Sequence, residues 1–394
     1  MATAEQVQAL YRAHFPAFIR FAFRELHPGQ DLIDGPHLDV LADHLVQVAN
    51  GDITRLIINM PPRSLKSFSA SVALPTWLLG RDPTKQIMSV AGTRELAADF
   101  ETATRSLMTT PRCQALFPHL KPGGRRGDIL LPQGGRRITG TVGNSLIGRG
   151  ADVIVIDDPI APAHVHDPAR RNAVKKWFDS EVIQRLNDKK TGAVIVVMQR
   201  LHIDDLSGYL LGGDQLQNHP KWVHLNMPVV AVEDERWDLS DGRAFVRKKR
   251  QVMAPDIEGL RALYDRMMDI GAYNFGAQYQ QKPFEHMNEK EVRGGCFGGP
   301  DDKWGFPDMW FGTVPETAIM AHEVFGLGDH NPGAPAREMT EEEFERYTRW
   351  TNDYLRRLQD DPNAEFGPPA GEPWPPRDQP VVPDTDDKTE PKDA

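Results

Sequence analysis

The chain has 394 residues, 40% of them hydrophobic and 26% charged, which is enough to bury one large core or two smaller ones. No apolar run approaches the roughly 20 residues of a membrane span, Met1–Leu10 lacks the features of a signal peptide, and Cys113 and Cys296 build no disulfide framework, so the expectation is a protein of a reducing cytoplasm. The formal charge of −10 is uneven: 16 acids and 7 bases fall between Glu338 and Ala394, leaving 40 acids and 39 bases for residues 1–337. Basic clusters in this balanced body, such as Arg170-Arg171 and Arg247-Lys248-Lys249-Arg250, read singly as solvated faces.

Residues 1–50 are predicted helical, with dense apolar positions from Phe15 to Phe23 and helical spacing from Leu38 to Val48. Ile53–Met60 is a short apolar run that reads as a buried parallel strand, followed by a helix over Ser64–Leu79 that Pro75 should kink. The alternation continues with strand Gln86–Val90, helix Arg94–Met108, and a hairpin around Asp128–Thr139 turning at Gly134-Gly135. Then come strand Asp152–Ile156, helix Pro168–Leu186, strand Ala193–Met198, helix Asp204–Leu211, strand Val223–Val230, and helices Ile257–Ile270 and Tyr273–Gln281. This order predicts an α/β core, a mainly parallel sheet flanked by helices, over residues 51–283. Residues 284–361 read as an irregular extension with one amphipathic helix, Glu341–Leu358. From Pro362 to Ala394, nine prolines and an acidic balance predict disorder.

Two strand ends carry the chemistry. After the first strand, Pro61-Pro62-Arg63-Ser64-Leu65-Lys66-Ser67 opens a helix, where backbone N–H groups and the helix dipole favour phosphate. Pro62 to Ser67 would cradle ATP, with Lys66 at the β- and γ-phosphates and the Ser67 hydroxyl on Mg2+. Both glycines of the usual G-x-x-x-x-G-K-[ST] pattern are missing, and Leu65 occupies the second. Val153 to Asp158 is an apolar strand ending in two acids: Asp157 is placed to meet Ser67 and the metal, and Asp158 to act as general base on water. A third strand runs into Gln199 and Arg200, candidates for sensing the γ-phosphate. Arg63, Arg149 and Arg200 all qualify to offset transition-state charge, in cis or from a neighbouring subunit. No CxxC or HExxH pattern points to zinc, and His37 and His202 read as structural.

Together MPPRSLKS, LGRDPTKQIMSVAGT, GRGADVIVIDDPI, RLNDKKTGAVIVVMQRLHIDDLSGYLL and FGAQYQQKP resemble the ATPase part of tailed-phage terminase large subunits, over roughly Ile53 to Pro283. The resemblance implies a P-loop NTPase core of the additional-strand, conserved-glutamate (ASCE) type, driving double-stranded DNA into a procapsid. It implies a portal and a small terminase subunit as partners, a homo-oligomeric ring, and the bacterial host's cytoplasm as the setting. It matches Lys66 and Ser67 to the P-loop, Asp157 and Asp158 to the magnesium and water-activating acids, Met198–Arg200 to the coupling motif, and Arg149 to an arginine finger. Such terminases usually continue into a two-metal nuclease; after Pro283 no apolar strand ends in Asp, so endonuclease activity is not expected of this chain. Other readings are a helicase-like remodeller, a non-hydrolytic assembly protein that only binds nucleotide, and a terminase whose nuclease centres on Asp301, Asp302 or Asp329.

Overall fold

A computed structural model describes residues 3–283, apart from 33, 126, 145, 147, 213–220 and 256–257, and also Arg349, Asp353 and Arg357. The chain divides into two compact units, Met1–Asn288 and Glu289–Ala394. In the second, the three described residues are helical and Arg357 Nε pairs with Asp353 at 3.0 Å. These positions lie in the predicted Glu341–Leu358 helix; its other residues, the acidic tail and Asp301, Asp302 and Asp329 lie outside the described residues.

The first unit opens with helices α1 (Ala4–Ala13), α2 (Phe15–Leu26) and α3 (Pro36–Asn50). Thr3 caps α1 in a capping box with Gln6, His14 Nδ1 accepts the Ala17 N–H at the start of α2, and Gly51 ends α3 in the left-handed conformation. Then come β1 (Arg55–Asn59), α4 (Leu74–Arg81), β2 (Gln86–Ala91), α5 (Arg94–Thr109) and α6 (Pro111–Leu116). The chain continues through β3 (Asp128–Leu130), β4 (Arg136–Thr141), β5 (Val153–Asp157), α7 (Pro168–Trp177), β6 (Ala193–Met198), α8 (Leu206–Gly212) and β7 (Val223–Asn226). A small hairpin, β8 (Glu235–Asp238) and β9 (Ala244–Arg247), precedes α9 (Leu260–Ile270) and α10 (Ala272–Gln278).

Seven strands form one sheet in the order β3-β4-β2-β5-β6-β1-β7, parallel throughout except for the antiparallel edge strand β3. The α/β expectation holds. In β1, β5 and β6 every residue is buried, because both sheet faces are covered. Leu56, Ile58, Val155, Ile195 and Val197 face one core with α2, α3 and α4; Ile57, Ile154, Ile156, Val194 and Val196 face the other, with α7 and α8. The N-terminal helices join the first core through aromatic contacts, such as Phe15 with Trp77 at 5.0 Å and Phe18 with Phe117 at 6.0 Å between ring centroids.

Several elements differ from their sequence prediction for local reasons. The helix expected over Ser64–Leu79 has a π-helical stretch, Phe68–Ala73, before α4. Pro75 has no N–H to donate to the Ser71 carbonyl four residues back; instead Arg137 Nη2 donates to that carbonyl at 3.3 Å. The helix expected to run from Pro168 to Leu186 is regular only to Trp177, then loosens into π and 3-10 turns. The Val223–Val230 strand stops at Asn226, before Pro228, and Val230 forms a lone bridge with Val252. The β8–β9 hairpin was not predicted, since its burial is partial and its sequence too charged to alternate visibly.

Candidate functional site

The residues singled out after β1 build a tight loop without glycine. Arg63 and Leu65 take φ of 61° and 60°, the left-handed region that glycine normally occupies. For Leu65 this costs about 1–2 kcal/mol. Ser64 Oγ donates to the Pro61 carbonyl at 2.8 Å and closes the turn, and Leu65 packs at the margin of the first core. The helix begins at Lys66, so the amides of Lys66 and Ser67 have no carbonyl one turn back. Lys66 is 6% exposed, its Nζ lies 3.4 Å from the Pro61 carbonyl, and no carboxylate among the described residues is within ion-pair distance. A buried ammonium in that position calls for an anion. Pro62 is half-buried in the loop and Arg63 is exposed.

The acids arrive from β5, which is separated from β1 by β6 alone. Ser67 Oγ donates to Asp157 Oδ1 at 2.8 Å, and Ser71 Oγ, one helical turn on, donates to Oδ2 at 2.5 Å. Burial and the neighbouring Asp158 raise the Asp157 carboxyl above its ordinary range, against the pull of the two serines and Lys66. Burial likewise raises Asp158, opposed by Lys66 and by a hydrogen bond from the Gln199 backbone N–H. Asp158 has φ of 40°, and its own N–H donates to the Val197 carbonyl of β6 at 2.9 Å. On the other side the Gly92 N–H donates to the Asp157 carbonyl at 3.2 Å, and a Cβ on Gly92 would lie 2.2 Å from the Asp158 carbonyl oxygen. Strand β2 thus abuts the acid pair so closely that only glycine fits.

Gln199 follows β6 directly, beside Asp158. Arg200 is committed elsewhere: its Nε donates to both Asp205 oxygens at 3.0 Å, and its Nη2 to the carbonyls of His202 and Ile203. Arg149 lies before β5, at the end of the sheet opposite the acids, and its guanidinium, 44% exposed, pairs with Asp128 at 3.1 Å. The structure therefore brings together Pro62 to Ser67, Asp157, Asp158 and Gln199, with Arg200 behind them and Arg149 remote within the same chain. Below the loop, Asn59 Nδ2 donates to the Met198 carbonyl and Ser207 Oγ, and its Oδ1 lies 2.8 Å from His224 Nε2, tying the stem of the loop to β6, α8 and β7.

Three contributors escaped the sequence reading. Ser71 had a signal, being four residues after Ser67 on the same helical face. Gly92 lies in the LGRDPTKQIMSVAGT string that carries the resemblance, but nothing in that string announces its approach to Asp158. Arg137 is fully buried in β4, its side chain held down to about 10 by burial, and it reaches the site only through the Ser71 backbone. As a set these groups suit a magnesium–nucleotide ligand: hard oxygen donors on Ser67 and Asp157, an unpaired buried ammonium, and amides at a helix start. Among the described residues no three His, Cys, Asp or Glu side chains converge as a metal cage, and no helix is long and apolar enough to cross a membrane.

No family model matches the chain, and no curated protein matches it. Among solved structures it is similar to the HK97 bacteriophage large terminase, with 16% identity over 55% of this chain and 43% of that one and a TM-score of 0.35. It is also similar to a mutant ATPase domain of the Thermus phage P74-26 large terminase, with 13% identity over 66% of this chain and 97% of that one and a TM-score of 0.40. The chain thus spans less than half the length of the HK97 protein, and its structural neighbours are large terminases of phages.

Proposed function

We propose that this protein is the ATP-hydrolysing motor subunit of a phage terminase, moving double-stranded DNA into a procapsid. The observation that carries the reading is the 2.8 Å contact of Ser67 with Asp157, residues 90 positions apart, at the mouth of a loop whose Leu65 adopts the glycine conformation. The sequence resemblance, over roughly Ile53 to Pro283, supports the packaging role.

In this reading the amides of Ser64 to Ser67 hold the phosphates and Lys66 neutralises the β- and γ-oxygens. Magnesium, when bound through Ser67 and Asp157, screens the charge that develops on the phosphates. Asp158, kept protonatable by burial, orients water and takes its proton. Gln199 reads the γ-phosphate from the tip of β6. Arg63, exposed on the loop, is the candidate to offset charge within the subunit. Arg149, remote in its own chain but exposed, is the candidate to do so for a neighbour in a ring. The test is ATP turnover by the full chain with DNA, procapsid and portal: Lys66→Ala should lower it on the order of 100-fold or more. Equal turnover in the two proteins would overturn the reading.

A further inference from the structure

The FGAQYQQKP stretch has no part in the chemistry described above, yet its Gln281 side chain is buried against the backbone that follows Gln199. Strand β6 meets the acid pair at its end, where the Val197 carbonyl accepts the Asp158 N–H at 2.9 Å, and beyond Met198 its residues run out of strand partners. The Arg200 N–H goes to Gln281 Oε1 at 2.9 Å. The other end of the same amide, Gln281 Nε2, donates to the Gln278 carbonyl at 2.5 Å, so the side chain bridges two backbones. Gln281 is 4% exposed and holds φ of 54°, a conformation that costs energy for any residue with a side chain and persists only where its surroundings require it.

Its neighbours fix the bridge on both sides. Gln280 accepts the Val230 N–H at 3.0 Å and donates to the Val230 carbonyl at 2.9 Å, which locks the segment to the body. Tyr273 Oη donates to the Leu201 carbonyl at 3.3 Å, and Asp205 accepts the N–H groups of Leu201 and His202 at 3.0 and 3.3 Å. The backbone N–H groups of Arg200, Leu201 and His202 are thus held by Gln281 and Asp205.

Resting on the nucleotide-site reading, we infer that Gln281 is a positioning residue for hydrolysis: its amide holds the Arg200 backbone, and through it the end of β6, whose Val197 carbonyl accepts the Asp158 N–H at 2.9 Å. Without the amide the Arg200 N–H loses a buried acceptor, the turn moves to find another, and the end of β6 shifts beside Asp158.

The test compares full-length wild type, Gln281→Met, Gln281→Glu and Lys66→Ala for turnover and for affinity for a fluorescent ATP analogue. Methionine matches the length of glutamine but cannot accept the Arg200 N–H; glutamate can, and as the neutral acid that burial favours it also keeps the donation to the Gln278 carbonyl. The expected result is a fall in kcat of roughly 10- to 100-fold for Gln281→Met with the nucleotide Kd within about threefold of wild type, and recovery of most of kcat in Gln281→Glu. If Gln281→Met does not fold, Gln281→Asn replaces it, because asparagine accepts a positive φ readily but stops one methylene short. Full turnover in the variant lacking the acceptor overturns the inference. So does an equal loss in Gln281→Glu, or a loss of Kd and thermal stability in parallel with kcat, either of which makes Gln281 a structural plug. Wild type indistinguishable from Lys66→Ala would instead overturn the nucleotide-site reading itself.

Discussion

Among the described residues, Arg63, Leu65, Asp158, Arg250 and Gln281 are the non-glycine positions with positive φ, and four of these five lie in the candidate site or in the segment proposed to support it. Strain of this kind gathers where geometry serves function. It is also why the loop is hard to read in a sequence: the left-handed turn that glycine would advertise is here imposed on leucine by the packing around it. Strain of a different origin lies in His37. Its side chain is fully buried and neither ring nitrogen has a hydrogen-bond partner. Burial, aided by Arg20 and Arg247 against the pull of Asp34 and Asp39, lowers its pKa to about 4 from the ordinary 6.5. The folded state therefore binds fewer protons than the unfolded one between these values. Its contribution is fully present above pH 6.5 and is lost as pH falls toward 4. His37→Leu should reduce the drop in unfolding free energy between pH 7 and pH 5 by about 2 kcal/mol, measured by urea denaturation. His224, lowered to about 4 chiefly by burial, keeps part of the slope in the variant. A slope that does not change would mean that His37 binds protons in the fold as readily as in the unfolded chain.

At the scale of elements, the closeness of β2 to the acid pair is the most exacting contact. Gly92→Ala places a methyl group against the Asp158 backbone, so the strand end must move; overpacking costs about 1–3 kcal/mol, and turnover should fall further than stability. Gly212→Ala, where nothing lies within 4 Å of the added Cβ, is the control and should match wild type in both measurements. Turnover preserved in Gly92→Ala would show that the strand end gives way freely. The elements legible in the sequence were those whose burial is total: β1, β5 and β6 are unbroken apolar runs because both faces are covered, and their ends therefore located Lys66, Asp157 and Gln199. Elements set by tertiary contacts were not legible. The π-helical stretch after Ser67 depends on a missing proline donor and on an arginine 66 residues away, and nothing near Ser71 in the chain announces Arg137. Gln281 was visible only as part of a familiar string, since an amide that serves a distant backbone leaves no local pattern.

For the whole molecule, charge distribution bears on the proposed binding of DNA. The body is electrically balanced, while residues 362–394 carry 8 acids and 3 bases. An acidic segment competes with phosphates for basic surface, so deleting 362–394 should tighten DNA binding most at about 50 mM salt and steepen its salt dependence. Unchanged affinity and slope in a fluorescence titration would remove that role. The sheet order has a further meaning for how the protein is made. Strand β6 lies between β5 and β1, and its Met198 is 139 positions beyond its partner contact at Asn59. A ribosome that has released everything through β5 has thus produced two apolar strand edges and nothing to put between them. The β1 and β5 edges are joined only when β6 emerges, so the candidate site comes together late, with the segment that holds the Arg200 backbone arriving later still, and in that interval chaperone protection counts most.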